Sequence, residues 1–270
     1  CRLKRDVVYY RDTDRILAMD IIYPSKPKTP VGAVIEFSCD NANRMSNFSL
    51  GFCTDALLPG AASEGFAAAM ADHPVAEPYK GFDAMPGCAW KIKAAVRTLR
   101  AESSALGLNG RIVPAGFSRG SGMALMLATT MDHPEFDHHG EHSDGESTVQ
   151  GGVILSGRCT YLDLLPGDKM IPRYEKTWGS RALHANVWRD QGALDYLDHA
   201  LPVPLFISIS LSESPDALHQ MEVLRRRLTE LRSPFVYVPE PEPRGHRVPI
   251  DPTVLSSLFD YLHQQLDAAR

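Results

Sequence analysis

The sequence has no long apolar run and no surplus of positive charge. No apolar stretch approaches the length of a membrane span, so a transmembrane segment is not expected. The 28 Lys and Arg residues are outnumbered by 33 Asp and Glu residues, for a formal net charge of −5. No block of basic residues is interleaved with aromatic ones, and the cluster Arg225–Arg227 lies in a helical pattern with acidic neighbours. These features exclude nucleic acid as an expected partner.

Cysteine is scarce and shows no metal-binding spacing. The five cysteines are an odd, scattered set: Cys1, Cys39, Cys53, Cys88 and Cys159. They form neither a CxxC pair nor a disulfide framework, so they leave the redox compartment open. The sequence shows no signal-peptide pattern, and we expect any targeting segment to have been cleaved or omitted. We expect a secreted or periplasmic location over a cytoplasmic one, while the oligomeric state stays open.

Strand and helix patterns alternate along most of the 270 residues. This alternation predicts an α/β fold with a mainly parallel sheet, helices on both faces and one domain spanning residues 1–270. The first two strands are predicted to form an antiparallel hairpin at a sheet edge. Residues 159–200 are predicted to form a small cap. Strands are predicted at Val7–Tyr10, Ile16–Tyr23, Val31–Phe37, Gly65–Ala71, Arg111–Ala115, Gly151–Leu155, Pro204–Ser210 and Phe235–Val238. Helices are predicted at Asp55–Glu64, Cys88–Leu106, Ala217–Leu231 and Val254–Leu266, besides the helix described next.

The stretch Arg111–Thr130 combines a short apolar strand, a Gly-x-Ser-x-Gly pentapeptide and a helical pattern. Gly116, Ser118 and Gly120 are the defining residues of the pentapeptide. This context is that of a nucleophile elbow, in which the serine hydroxyl projects above the sheet at a helix N-terminus. The alternative is a glycine-rich turn with a capping serine.

A serine nucleophile needs an imidazole to take its proton and a carboxylate to orient that imidazole. Both are expected at the carboxyl ends of later strands. Glu213 and Asp216 follow the strand Pro204–Ser210, and His246 follows the last strand. The resulting chain order is serine, acid, histidine, with the choice between the two acids open at this point.

With these residues the chain resembles the α/β-hydrolase superfamily, in its esterase and prolyl-oligopeptidase-like branch, which includes acetyl xylan and feruloyl esterases. In that branch the acid commonly precedes a Gln-x-Glu pair by seven residues, and Gln220 and Glu222 fit this spacing from Glu213. The resemblance therefore implies an α/β-hydrolase fold with the catalytic residues Ser118, Glu213 and His246. It implies a serine carboxylic-ester hydrolase that uses no cofactor and no metal. Small acyl esters, especially those of carbohydrates, are the expected substrates.

The resemblance has one gap, at the loop after the third strand. Relatives often carry His-Gly-Gly-Gly there, whereas this chain has Ser-Cys-Asp-Asn at 38–41. An oxyanion hole is therefore expected from the backbone amides of Arg119 and, as second donor, Cys39 or Asp40. Without the glycine motif, a binding protein that has lost catalysis stays an alternative, as does a peptidase of the prolyl-oligopeptidase type.

Other histidines and aromatic residues suggest further candidates. The segment 132–150 is rich in histidine and acid. It is interpreted as a solvated or substrate-rim loop, with a metal site as the alternative. His73 follows a strand, where it would have a structural role or border the pocket. Trp178, Trp188 and Tyr161 would pack the cap or form a flat wall for a sugar or aromatic group.

Overall fold

The computed structural model describes residues 1–11, 13, 15–37, 44, 57–75, 85–248 and 251–267. An eight-stranded sheet forms its centre, in the order β1-β2-β4-β3-β5-β6-β7-β8. The first two strands form the expected antiparallel edge hairpin, β2 and β4 are also antiparallel, and the other neighbours are parallel. The strands are β1 (Arg2–Arg11), β2 (Ile16–Tyr23), β3 (Val31–Phe37), β4 (Ala67–Ala71), β5 (Leu108–Phe117), β6 (Gly152–Leu155), β7 (Leu205–Ser208) and β8 (Phe235–Tyr237).

The described helices connect these strands. Two of them begin with a side-chain cap followed by proline: Ser214 accepts from the amide of Ala217, and Asp251 accepts from that of Thr253. The described part of the chain has no helix long and apolar enough to cross a membrane. The helices are α1 (Leu57–Ser63), α2 (Gly87–Ala101), α3 (Ser103–Leu106), α4 (Arg119–Thr129), α5 (Ile171–Trp178), α6 (Ala185–Asp190), α7 (Pro215–Glu230) and α8 (Pro252–Leu266), with 3-10 turns at Pro134–Phe136 and Ala193–Tyr196.

Apolar layers cover both faces of the sheet. Val34 and Phe206 belong to a layer shared with α1 and α8, whereas their strand neighbours Ile35 and Ile207 belong to a layer shared with α2, α4 and α7. Successive strand residues point to opposite faces, so a central strand covered on both sides has to be apolar throughout. This explains why Val31–Phe37 lacks the alternation of a half-exposed strand.

The cap is small and has an aromatic core of its own. Tyr174 and Trp178 stack with ring centroids 4.9 Å apart, and Trp188 meets Trp178 edge-on at 5.3 Å. The indole of Trp188 donates to the carbonyl of Gly179 at 3.0 Å. Burial of three large rings gives this short segment a stable packing centre.

Several element boundaries differ from the prediction, and two of the differences have a clear local cause. The predicted helix Cys88–Leu106 is divided at Glu102, whose amide bonds to the carbonyls of Thr98 and Arg100 before α3 begins. The predicted strand Gly65–Ala71 starts at Ala67, because Gly65 has a φ of +94° that no strand residue adopts. The predicted loop 38–43 lies outside the described residues.

Candidate active site

Ser118 sits in a strained turn between β5 and α4. Its φ of 55° and ψ of −119° are unusual for a residue with a side chain. Both flanking positions have to be glycine, because neighbouring backbone lies too close for a side chain. A Cβ on Gly116 would lie 2.1 Å from the carbonyl carbon of Gly120, and a Cβ on Gly120 would lie 2.2 Å from the carbonyl oxygen of Phe37. The amide of Ser118 donates to Leu155 of β6 at 2.9 Å. The predicted strand, elbow and helix are therefore present.

The structure brings the three predicted side chains together. His246 Nε2 lies 2.9 Å from Ser118 Oγ, and His246 Nδ1 lies 2.7 Å from Glu213 Oε1. The Glu213 side chain is buried, while about half of the His246 side chain is exposed. A carboxylate at Nδ1 keeps the proton on that nitrogen, which leaves Nε2 as the acceptor for the serine proton.

Glu213, and not Asp216, is the carboxylate that contacts His246. Asp216 instead lies in the first turn of α7, where a negative charge is favourable. Burial alone would raise the pKa of Glu213, but hydrogen bonds from His246 and Ser156 outweigh it and lower the pKa below its ordinary value. Glu213 is therefore ionised at neutral pH.

Sequence analysis missed Ser156, which lies directly after β6. Its hydroxyl donates to Glu213 Oε1, the same oxygen that bonds to His246. The side chain is buried, and its backbone has a φ of +50°. A polar residue at the carboxyl end of the strand beside the elbow strand was the available signal, because parallel strands end at the same edge of a sheet.

A cavity of about 520 Å³ opens beside Ser118. Helices α2 and α4 and the segment before them line one wall with sulfur-containing side chains: Met85, Cys88, Met123 and Met126. The cap contributes Tyr161 and Tyr174. Arg158, directly before the cap, also lines the cavity, and its guanidinium binds the buried carboxylate of Asp168 at 2.5 and 2.9 Å. The cavity therefore joins an apolar wall to one with aromatic and hydrogen-bonding groups.

The cap aromatics divide between cavity and core. Tyr161 reaches the cavity and meets Trp178 edge-on at 4.9 Å, whereas Trp178 and Trp188 do not line the cavity and instead pack the cap. Of the three aromatic residues considered for a substrate wall, Tyr161 alone is placed to contact a ligand in this cavity.

The solved structures that resemble this chain include several esterases. A truncated carbohydrate esterase from gut microbiota superposes with a TM-score of 0.82 at 16% identity, covering 98% of this chain and 96% of the other. A bifunctional GH43-CE protein of Bacteroides eggerthii gives 0.77 at 18% identity, covering 97% of this chain and 38% of that one. The propionate-bound esterase 2 of Thermogutta terrifontis gives 0.70 at 17% identity, covering 97% of this chain and 93% of that one.

The chain has the α/β-hydrolase fold. The predicted fold class, a mainly parallel sheet with helices on both faces and a small cap, is confirmed. No family model matches the sequence, and no curated protein matches it. At such low identity the neighbours establish the fold and not the chemistry of this chain.

The predicted oxyanion donors are only partly described. Arg119 is the first residue of α4, in the turn whose amides do not bond within the helix, and its position directly after Ser118 suits an oxyanion donor. Its guanidinium reaches His73 Nδ1 and the carbonyl of Val75, both at 3.4 Å. Cys39 lies outside the described residues, so its role as second donor stays a prediction.

His73 is buried and also borders the cavity. Its Nδ1 accepts from the amide of Val75 at 3.0 Å. Burial, followed by the nearby charge of Arg119, lowers the pKa of His73 well below its ordinary value. His73 is therefore a neutral ring at pH 7 that fixes the loop after β4, and it combines the structural role with the position at the pocket.

Gln220, the residue that suggested the Gln-x-Glu spacing, holds the start of the cap. Its side-chain oxygen accepts from the amides of Cys159 and Thr160 at 3.0 and 3.1 Å, and its nitrogen donates to the carbonyl of Asp163 at 2.8 Å. Glu222 pairs with Arg225 on the surface of α7 at 2.8 Å. In this structure Gln220 positions the backbone that follows β6, and Glu222 contacts none of the described residues of the site.

The histidine-rich segment 132–150 is anchored to α2. Lys93 and Arg97, both buried, bind the carboxylate of Asp137 at 3.0 and 3.1 Å, and Ser147 donates to the same carboxylate at 2.6 Å. Arg100 donates to the carbonyl of Thr148 at 2.5 Å and also to that of Glu146. Basic side chains from one helix therefore hold this loop at several points.

The histidines of this loop point to separate partners. His138 Nδ1 donates to the carbonyl of Ser143 at 3.0 Å, and the ring of His139 stacks on Trp90 at 3.9 Å. His133 bonds to Glu135 at 2.9 Å. Within the described ranges, no three His, Cys, Asp or Glu side chains are grouped so that they could hold a metal ion. The geometry favours the loop interpretation over the metal alternative.

Proposed function

We propose that the protein is a serine carboxylic-ester hydrolase. The observation that carries this proposal is the continuous hydrogen-bonded chain from Ser118 through His246 to Glu213, with spacings of 2.9 and 2.7 Å, at the edge of a cavity. Such spacings are those at which a base can take a proton from a nucleophile. The resemblance of the fold to esterases of known structure agrees with it.

In the proposed mechanism Ser118 Oγ attacks the ester carbonyl while His246 Nε2 takes its proton. Glu213 holds the imidazole in the required tautomer and stabilises the imidazolium. The amide of Arg119, with a second donor expected near Cys39, would bind the oxyanion. His246 returns the proton to the departing alcohol, and a water molecule activated by the same imidazole then releases the acid and regenerates Ser118. These residues require no cofactor and no metal.

We infer that small acyl esters of carbohydrates are the substrates. The cavity is much larger than an acyl group alone requires, and its cap side presents Arg158, Tyr161 and Gln191. Aromatic faces and planar hydrogen-bonding groups of this kind suit a sugar ring. Two of the similar structures are described as a carbohydrate esterase and a GH43-CE protein, which supports the same substrate class.

The test is the substitution Ser118→Ala with p-nitrophenyl acetate as substrate. We expect the variant to fold, as measured by circular dichroism, and to lose turnover of p-nitrophenyl acetate. We also expect a fluorophosphonate probe to label the wild type at Ser118 and not the variant. Undiminished turnover in the folded variant would refute the proposal. The substrate class would then be defined by comparing turnover of acetylated and feruloylated sugars with that of aryl esters. An assay of prolyl peptides would test the peptidase alternative.

A further inference from the structure

Ser156, Glu213 and His246 meet at a single oxygen atom. Glu213 Oε1 accepts from the Ser156 hydroxyl and from His246 Nδ1, and the hydroxyl itself lies 3.5 Å from that nitrogen. We propose that Ser156 is a positioning residue of the relay, which holds the Glu213 carboxylate in the orientation that His246 requires. This inference rests on the proposed function of the same site.

The backbone of Ser156 places the hydroxyl where Glu213 needs it. The residue has a φ of +50°, a region that glycine adopts more readily than serine. Its amide donates to the carbonyl of Ser208 on β7 at 3.1 Å, so this conformation is tied to the neighbouring strand. A left-handed conformation at a residue with a side chain is costly, and here it directs a buried hydroxyl at the acid of the site.

The same strand end also holds the nucleophile. Leu155, the last residue of β6, accepts from the amide of Ser118, and Ser156 follows it directly. Two adjacent residues therefore fix Ser118 through the backbone and Glu213 through a side chain. A shift of this strand end would move both partners of His246 at once.

Removal of the Ser156 hydroxyl should have two effects on the relay. Glu213 Oε1 would lose one of its two donors, so the carboxylate could rotate away from His246 and fewer molecules would have the productive geometry. In the molecules that keep the contact, a less firmly held carboxylate would fix the proton on His246 Nδ1 less completely. The other side chains that line the cavity stay unchanged.

Several other charged or titratable groups line the cavity or lie near Glu213 and His246 in the chain, and the proposed variants leave all of them in place. Hence a change at His246 in these variants reports on the Ser156 hydroxyl. These groups, from the cavity lining and from the neighbouring chain, are His73, Cys88, Arg119, Arg158, Tyr161, Tyr174, Asp216, Arg244 and Arg247.

The experiment compares Ser156→Ala and Ser156→Gly with the wild type. Alanine removes the hydroxyl and keeps the strained backbone, whereas glycine removes both the hydroxyl and the strain. With p-nitrophenyl acetate we expect kcat to fall about tenfold or more in both variants at an unchanged KM. Ser208→Ala is the matched control, because Ser208 is also a buried serine but its hydroxyl has no hydrogen-bond partner among the described residues.

The nitrogen-15 NMR spectrum of labelled His246 gives a readout that does not depend on activity, because its ring shifts report which nitrogen carries the proton. We expect the proton on Nδ1 in the wild type and in Ser208→Ala, and a mixture of both tautomers in the two Ser156 variants. An unchanged spectrum in the Ser156 variants would refute the positioning role, and so would full activity in Ser156→Gly, because the hydroxyl would then not be needed. Absence of ester hydrolysis in the wild type would refute the proposed function, and the NMR comparison would still decide whether Ser156 positions Glu213.

Discussion

Gly120 packs directly against the backbone of Phe37, because a Cβ at position 120 would lie 2.2 Å from the Phe37 carbonyl oxygen. Phe37 ends β3, and Gly120 lies in the first turn of α4. This contact lets the helix that follows Ser118 come close to the sheet. It is therefore a geometric requirement of the elbow.

We predict that Gly120→Ala destabilises the protein by about 1 to 3 kcal/mol and displaces Ser118, because backbone and not a flexible side chain has to move. Gly122→Ala is the matched control on the same helix, since its Cβ would meet only the Arg158 carbonyl at 3.6 Å. Alanine inside a helix is favoured over glycine, so this variant should be neutral or up to about 1 kcal/mol more stable. Urea unfolding measures the free energy of unfolding of both variants, and equal values for the two would contradict the prediction.

We predict that Glu213→Gln lowers kcat for p-nitrophenyl acetate by about 10³- to 10⁴-fold, because a neutral amide neither fixes the imidazole tautomer nor stabilises the imidazolium. Asp216→Asn should stay within about twofold of the wild type, since Asp216 lies in the first turn of α7 and the carboxylate that bonds to His246 is Glu213. Steady-state kinetics of both variants decides between the two acids. The reverse ranking would assign the role to Asp216.

We predict that Asp137→Asn costs about 3 kcal/mol at neutral pH, because it leaves Lys93 and Arg97 buried without their counter-charge. Burial tends to raise the pKa of Asp137, but hydrogen bonds from Ser147 and Lys93 outweigh it and lower the pKa below its ordinary value. A carboxylate of this kind adds stability that is complete above its unfolded pKa of about 3.9 and is lost as the pH falls through its folded value.

The measurement for Asp137 is the free energy of unfolding in urea between pH 7 and pH 3. The gap between wild type and Asp137→Asn should narrow below about pH 4, where the wild type loses the charge that the variant never had. Asp144→Asn, an exposed carboxylate in the same loop, is the control and should change stability by less than about 0.5 kcal/mol. A constant gap across the whole pH range would exclude Asp137 as the titrating group.

We predict that dialysis against EDTA leaves turnover of p-nitrophenyl acetate unchanged. The rings of His133, His138 and His139 are each bonded to or stacked on a different neighbour, so no convergent set of donors forms in the loop. Turnover before and after dialysis, together with elemental analysis, measures the effect. A stoichiometric ion whose removal abolishes turnover would revive the metal alternative.

The elbow and the histidine could be predicted because they depend on local pattern and chain order. Gly116, Ser118 and Gly120 form a pattern within five consecutive residues, and His246 follows the last strand. The choice between Glu213 and Asp216 depended on a family spacing. Both acids follow β7 within a few residues, so only the path of the loop decides which of them faces His246. In the structure Glu213 is the one whose side chain contacts His246.

Ser156 could not be predicted in the same way. Its contacts with Glu213 and His246 span 57 and 90 residues. They also depend on a left-handed backbone conformation, which no sequence pattern predicts for a serine. The anchoring of the histidine-rich loop was missed for a related reason. The apolar positions Ala89, Ile92, Val96 and Leu99 indicate one buried face of α2. Lys93 and Arg97 lie beside that face and are buried by a loop that has no regular pattern.

The packed rings of Tyr174, Trp178 and Trp188 give the cap a packing centre distinct from the two layers on the sheet. Tyr161 sits at the boundary, with one side against these rings and the other towards the cavity. The cap can therefore be redesigned as a module: exchanging side chains at its inner surface would change which alcohols or acids are admitted, while the machinery that cleaves them stays on the sheet below.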